Sequence, residues 1–385
     1  MTVRGEVESA IERWVNAGVL DRGIAERIRS FERQHAPAKG LNWPAILAVV
    51  FGVVMLGAGL LLFVAAHWDE LSPAWRFTLV LALVAAFHIG GAFATTRSER
   101  LATAFHALGT ATLGAGIFLA GQIFHLDEHW PGGLMLWTLG AWVGWFLLRD
   151  WVQAGLAALL TPAWLAGEWT VATDRFWGER ILTEGLLLLA IVYFTAQTRT
   201  HSSPLRRTLK WIGGIALIPT VFMVAESGWS YYGRPLPASM KVLGWLGAIG
   251  LPLALAAILH RREAWITAIA AVWVVILGTL PRPWGDHYSE TLLQFAWRAL
   301  GPFLWYALGS VGMIAWGLYE QRKERVNFGI AGFALSVLAF YFSSVMDKLG
   351  RSTSLIMLGV LFLLGGWYLE KTRRRLVARV AGASQ

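Results

Sequence analysis

Two short polar segments hold the residues best suited to chemistry. His67-Trp68-Asp69-Glu70 closes one long apolar run, and Gln122-Ile123-Phe124-His125-Leu126-Asp127-Glu128-His129-Trp130 closes another. His125 and His129 stand four apart, so a helical turn would aim both imidazoles the same way. Asp69 or Asp127 would then complete the three ligands that a divalent cation requires. The same groups could instead move protons to and from a substrate. His67, Asp69, Gln122, His125, Asp127 and His129 are therefore the candidate polar cluster. The bland alternative is a solvated loop beside interfacial aromatic residues. The sequence identifies neither a metal nor a cofactor.

Ionisable side chains inside apolar runs are expensive unless neutral, paired or hydrated. His88 falls late in one run and His106 early in the next, which returns in the opposite direction. Both are expected in the inner half of a membrane at similar depth. A bis-imidazole haem pair is geometrically possible, and neutral imidazoles hydrogen-bonded between helices are the simpler reading. Glu184 and Glu226 fall near outer helix ends and are expected to reach water, so no ladder of buried carboxylates is expected. The chain has no HExxH, no GxSxG and no GxxxxGKS/T loop. It also has no cysteine, which excludes thiolate chemistry and disulfides.

The elements that must position these residues follow from composition. Of 385 residues, 56% are hydrophobic and only 15% charged, with a mean hydropathy of +0.53. Soluble domains carry about 25% charged residues, and a bilayer crossing takes roughly 20 apolar residues. The expected fold is therefore all-α, a polytopic integral membrane protein with about twelve transmembrane helices. The crossings are placed near 44–66, 75–95, 101–123, 131–148, 151–167, 181–197, 209–226, 240–259, 264–280, 299–319, 326–345 and 353–369. The fifth is the weakest, with Pro162 inside it and hardly any loop before it.

The first 42 residues read as a cytosolic two-helix hairpin and linker. Val7, Ile11, Trp14 and Val15 recur at helical spacing, Asn16-Ala17-Gly18 reads as a stop, and Asp21 as an N-cap before Ile24, Ile28 and Phe31. Residues 43–369 form the transmembrane domain and 370–385 a basic cytosolic tail. With both termini inside, 24 of the 33 basic residues lie on the cytoplasmic side, as the positive-inside rule requires. Residues 1–36 hold six basic and six acidic side chains and are neutral overall, which argues against a nucleic-acid partner.

One internal similarity links the two polar exits. FGVVMLGAGLLL at 51–62 aligns with LGTATLGAGIFL at 108–119. Gly52 and Gly59, like Gly109 and Gly116, share a helix face two turns apart, where small residues allow close helix packing in lipid. Many of the 22 tryptophans mark expected helix ends (Trp43, Trp68, Trp75, Trp130, Trp151, Trp169, Trp265, Trp367), where interfacial anchoring suits an amphipathic ring. The outer segments 168–180, 227–239 and 281–298 are rich in aromatic residues, proline and glycine.

The N-terminal hairpin with Trp14 and Gly18, the exit Phe63-Val64-Ala65-Ala66-His67-Trp68 and the GQIFHLDE segment resemble a bacterial family of membrane proteins, domain of unknown function 2157. Val326-Asn327-Phe328-Gly329, Phe333-Ala334, Tyr341-Phe342 and Gly365-Gly366-Trp367 are similar to the end of such proteins. Relatives usually carry Asn where His67 stands, while Gln122 and His125 fit the family pattern. The resemblance implies a multi-pass protein of the bacterial inner membrane, often encoded beside a periplasmic partner bearing a GDYxxLxY motif. It implies no reaction. Transport or flipping of an envelope-related molecule is the leading expectation. A membrane scaffold docking a periplasmic partner comes next, and a membrane-embedded enzyme with an outer-face His/Asp site ranks behind both.

Overall fold

The computed structural model describes residues 11–35, 72–124, 129–174, 180–198, 203–226, 236–260, 263–280 and 292–342, with scattered positions at 51–59 and 356–374. Every regular element among the described residues is helical. The chain divides into two compact units, Met1–Ser72 and Pro73–Gln385.

In the first unit residues 11–16 are helical, and the chain turns through Gly18, whose φ of +70° is open to glycine at little cost. Asp21 then accepts a hydrogen bond from the backbone N–H of Gly23 at 3.0 Å, capping α1 (Arg22–His35). Ile11 and Ala25 are buried in this hairpin, while Trp14, Val19 and Ile24 are exposed.

The second unit opens with α2 (Pro73–Ala94), α3 (Glu99–Phe124), α4 (Trp130–Leu148) and α5 (Trp151–Thr173). A two-residue turn joins α4 to α5. Arg149 takes the left-handed conformation (φ 53°), and Asp150 caps α5 by accepting from the N–H of Val152 at 2.8 Å. That turn explains how α5 follows α4 with almost no loop. Pro162 lacks the N–H that would bond the Ala158 carbonyl, and the Tyr193 hydroxyl donates to that carbonyl instead, at 3.0 Å.

Next comes α6 (Arg180–Phe194), the centre of the unit. No residue from 180 to 198 is exposed. Leu187, Leu188, Ala190, Ile191 and Phe194 form the main apolar core with Leu217, Val224, Ala271, Val274, Leu277 and Trp316. A helix apolar on every face is stable only when surrounded. The surrounding elements include α7 (Pro204–Glu226), α8 (Ala238–Trp245), a π-helical segment Leu246–Gly250, α9 (Leu251–His260) and α10 (Ala264–Thr279). Glycines set the closest approaches. A Cβ on Gly213 of α7 would run into the backbone of Phe194 and Ala190, and one on Gly185 would sit 2.7 Å from the Ala248 Cβ of the π segment. Two further helices, α11 (Leu292–Tyr319) and α12 (Lys323–Phe340), pack as an antiparallel pair. Trp273 of α10 and Trp305 of α11 donate their indole N–H groups to each other's carbonyls, both at 3.0 Å.

Five stretches of the described residues are long and apolar enough to cross a membrane: Pro73–Ala94, Glu99–Gly121, Trp130–Leu148, Pro204–Ala225 and Ala238–His260. The sequence leads one to expect about twelve. Of the expected crossings, 44–66 and 353–369 fall mostly outside the described residues, and α6 and α10, at 15 and 16 residues, are short. Apolar side chains cover the flanks of the long helices, among them Phe93, Leu147, Ile218 and Leu243. Trp75, Trp130, Trp151, Trp265 and Trp367 are exposed, as interfacial anchors are.

Candidate functional site

Four polar groupings among the described residues bear on a site, and the first is the outer segment. Of the candidate polar cluster, His67, Asp69, His125 and Asp127 lie outside the described residues, as does the side chain of Gln122. His129 is described, at the start of α4. Its Nε2 lies 2.6 Å from Glu168 Oε2 near the end of α5, and Trp164 Nε1 donates to Glu168 Oε1 at 3.0 Å. These bonds, the histidine's above all, hold the Glu168 carboxyl below the ordinary glutamate range. Among the described residues, no group of three His, Asp or Glu side chains could hold a metal ion.

The second grouping joins α2 to α3. His88 Nδ1 and His106 Nδ1 are 3.1 Å apart, so one imidazole donates and the other accepts. Each ring lies over a glycine of the facing helix. A Cβ on Gly109 would stand 2.6 Å from His88, and one on Gly91 would stand 2.7 Å from His106. With the two nitrogens in direct contact, there is no gap between the rings for a porphyrin. Gln153 of α5 donates to the His106 carbonyl at 3.0 Å and accepts from Thr110 at 2.9 Å, extending the network to a third helix. Gly116 packs against Val80 one helix away, whereas Gly52 and Gly59 meet no described atom at a Cβ position.

The third grouping corrects an expectation. Glu184 does not reach water: its side chain is 0% exposed, and Arg180 Nε holds its Oε1 at 2.9 Å. The pair sits at the N-terminal end of α6. Gly278 of α10 leaves the space that the carboxylate fills, since a Cβ there would overlap Glu184 Oε1. The π-helical segment lies against the neighbouring Gly185. Extra-residue bulges of this kind often accompany functional sites.

The fourth and most elaborate grouping lies at the other end of α6. The carbonyls of the segment that follows α6, Thr195 to Thr198, lie where no helix supplies them a partner, and side chains from other elements satisfy them. Arg325 Nη2 donates to the carbonyls of Thr195 and Gln197, each at 2.8 Å. Arg206 donates to Ala196 at 2.6 Å, Arg322 to Thr198, and His260 Nε2 to Thr195 at 2.7 Å. Positive charge at a helix C-terminus also opposes the negative end of its dipole. Arg325 is in turn neutralised by Glu320, 2.6 Å away, with both side chains 2% exposed or less. Trp316 Nε1 donates to the same Glu320 oxygen at 2.5 Å, and its ring lies 5.0 Å from the guanidinium.

Local sequence explains how Glu320 and Arg325 meet. Gln321 adopts φ 56° and breaks α11, and Arg322 N–H closes the turn on the Gly317 carbonyl at 2.8 Å. A Cβ on Gly317 would lie 2.8 Å from the Val326 nitrogen, so glycine there lets α12 start hard against α11. Sequence reasoning misses this cluster because Arg322, Lys323 and Arg325 read as an ordinary positive-inside loop. The available signal is a glutamate and an arginine five residues apart across a tight turn, within a stretch otherwise flanked by apolar helices.

Residues 12–153 match a family model described as Predicted membrane protein (DUF2157). The match takes in the hairpin from Glu12 and the Gln122–Trp130 segment and does not extend to the stretch from Val326. No curated protein and no solved structure matches the chain. Family match and helix lengths agree on a membrane protein.

Proposed function

We propose that the chain is a carrier or flippase of the bacterial inner membrane that moves an envelope-related molecule across the bilayer. In this reading about twelve helices over 43–369 cross the membrane, and the hairpin and linker of 1–42 and the basic tail of 370–385 face the cytoplasm. The observation that carries it is the enclosed α6 with an ion pair at each end, Arg180–Glu184 and Glu320–Arg325. Glu320 and Arg325 are both buried, while Glu184 is buried beneath a partly exposed Arg180; buried charge in an apolar bundle costs several kcal/mol in desolvation and stands out as a functional element of a membrane protein. Apolar side chains fill the length between them. In the carrier reading, each pair closes the bundle on one side. The π segment and the prolines within α5, α7 and α11 supply places where helices can bend.

The test is to reconstitute the full chain in vesicles and follow labelled phospholipid and lipid-linked glycan precursors. Transbilayer movement well above that of protein-free vesicles is expected for one of them, and none for any would end the carrier reading. A second reading, a scaffold that docks a periplasmic partner such as one bearing the GDYxxLxY motif, draws support from exposed Trp14, Val19 and Ile24 in the N-terminal unit. Co-purification with and without residues 1–40 separates the two.

A further inference from the structure

A neutral imidazole carries one hydrogen-bond donor and one acceptor, and a protonated one carries two donors. Two imidazoles that meet nitrogen to nitrogen therefore have a fixed capacity for protons. The His88 and His106 rings meet in this way, Nδ1 to Nδ1 at 3.1 Å. Their centroids are 5.4 Å apart, the nitrogen contact plus one ring radius on either side, so the two nitrogens point at each other along the line of centres. That is the geometry of an N–H···N bond rather than of stacked rings. In the neutral pair one proton bridges the contact. Adding a proton turns the donor ring into an imidazolium, and the same contact becomes a charge-assisted bond, about twice as strong. A second added proton would put donors on both nitrogens and break it. The pair has room for a single extra proton.

The surroundings hold the rings in place and supply no other charge. Gly109 and Gly91 admit each ring against the facing helix. The His106 carbonyl accepts from the Thr110 hydroxyl at 3.2 Å and from Gln153 at 3.0 Å, and Gln153 is 0% exposed. Trp137 of α4 in turn donates to the Thr110 carbonyl at 2.8 Å. Neither ring makes an ion pair or a second hydrogen bond among the described residues. Of the elements packed around the pair, α4 carries no charged residue. The side chain that α5 brings is the neutral Gln153, while Asp150 is spent on the Val152 amide and Glu168 on His129. On the histidines' own helices the charges are Arg76 in the first turn of α2 and Glu99 and Arg100 in the first turn of α3, with Arg97 in the turn between. The second imidazole is accordingly the group that stabilises an added proton. His88 is half-buried and His106 only 7% exposed, so His88 is the way in.

We propose that His88 and His106 form a proton-binding site between α2 and α3, which takes up one proton through His88 and shares it across the Nδ1–Nδ1 contact. With His88 as donor, the incoming proton adds to its free Nε2, and the Nδ1–H it already holds becomes the shared one; no other bond forms or breaks. Charge on the pair fastens α2 to α3 more tightly than the neutral bond does. The site goes beyond the carrier reading and does not depend on it.

Nuclear magnetic resonance on the full chain in lipid nanodiscs, with isotopically labelled nitrogen in its nine histidines, tests the site without any transport assay. Ring nitrogens of two different histidines should show a through-bond coupling, which an N–H···N bond transmits and simple proximity does not. On acidification from pH ~8 through the ordinary imidazole range near ~6.5, the coupled rings should move together at one midpoint. Their shift changes should add up to those of one imidazolium, with the coupling retained. His88→Phe and His106→Phe should each abolish the coupling and so assign the pair. If either variant fails to fold, the native titration still decides, because the coupling itself marks the two rings. Absence of the coupling in the native chain, its loss on uptake of the first proton, or two separate full titrations overturns the proposal. So does a pair that remains neutral down to pH ~4, well below the ordinary imidazole range.

Discussion

Replacing Arg325 with glutamine should lower the stability of the second unit by about 3–5 kcal/mol, the range seen when one partner of a buried ion pair is removed. For a domain of this size that is a fall in melting temperature of roughly 10 °C. Three losses combine. Glu320 would remain as a buried charge without its cation, the carbonyls of Thr195 and Gln197 would lose their shared donor, and the Trp316 ring would lose its cationic neighbour. Most of the damage comes from the stranded carboxylate, so adding Glu320→Gln should recover more than half of it. Arg325→Lys would keep the charge and still fail, because an ammonium cannot present the planar fork that reaches Glu320 and two carbonyls at once. Thermal unfolding of the single and double variants in one detergent decides the matter. Equal melting temperatures for the native chain and Arg325→Gln would show that the clamp contributes nothing to stability.

Gly213→Ala should be nearly as damaging, through sterics alone. The added methyl would meet the Phe194 amide nitrogen, the Ala190 carbonyl and the Tyr193 carbonyl carbon. All are backbone atoms of the central helix, so no rotamer change relieves the overlap. Overpacking costs about 1–3 kcal/mol where side chains can yield, and at this contact the upper end or beyond is expected, with α7 forced away from α6. Gly214→Ala is the matched control. Its Cβ would stand 3.3 Å from the Phe194 ring, a side chain with room to adjust, so its melting temperature should stay within about 2 °C of the native value. Because alanine is the better helix former by about 1 kcal/mol, propensity alone would raise both melting temperatures, and a Gly213→Ala variant as stable as Gly214→Ala would contradict the close approach.

The sequence makes the helical architecture legible because apolar runs of crossing length can do little else in lipid. The expected helices at 75–95, 101–123, 131–148, 209–226, 240–259 and 264–280 all appear as helices or helix–π–helix stretches with ends shifted by a few residues. What it does not reveal is which helix the others surround. The run at 181–197 looks like its neighbours in composition, and only packing shows that none of its residues is exposed. The same gap explains Glu184. Its position near a helix end suggests hydration, but Gly278 on a distant helix provides the pocket that buries it. His88 and His106 are recognisable as a pair because both lie at matching depth on adjacent antiparallel runs. Arg206, His260 and the Glu320–Arg325 pair come together from separate elements around Thr195 to Gln197, and no local spacing encodes it. Among the outer cluster, His129 is drawn to Glu168, which the sequence does not single out.

The carrier reading depends on the bilayer orientation of the chain, and the absence of cysteine makes that directly measurable. Single replacements Asp69→Cys, Ser98→Cys, Glu128→Cys, Ser203→Cys and His287→Cys, labelled in intact cells with a membrane-impermeant maleimide, report one face of the membrane at a time. Labelling from outside is expected at positions 69, 128 and 287, with 98 and 203 reacting only after the membrane is opened. Labelling of 98 and 203 in intact cells, with 69 and 128 protected, would contradict it.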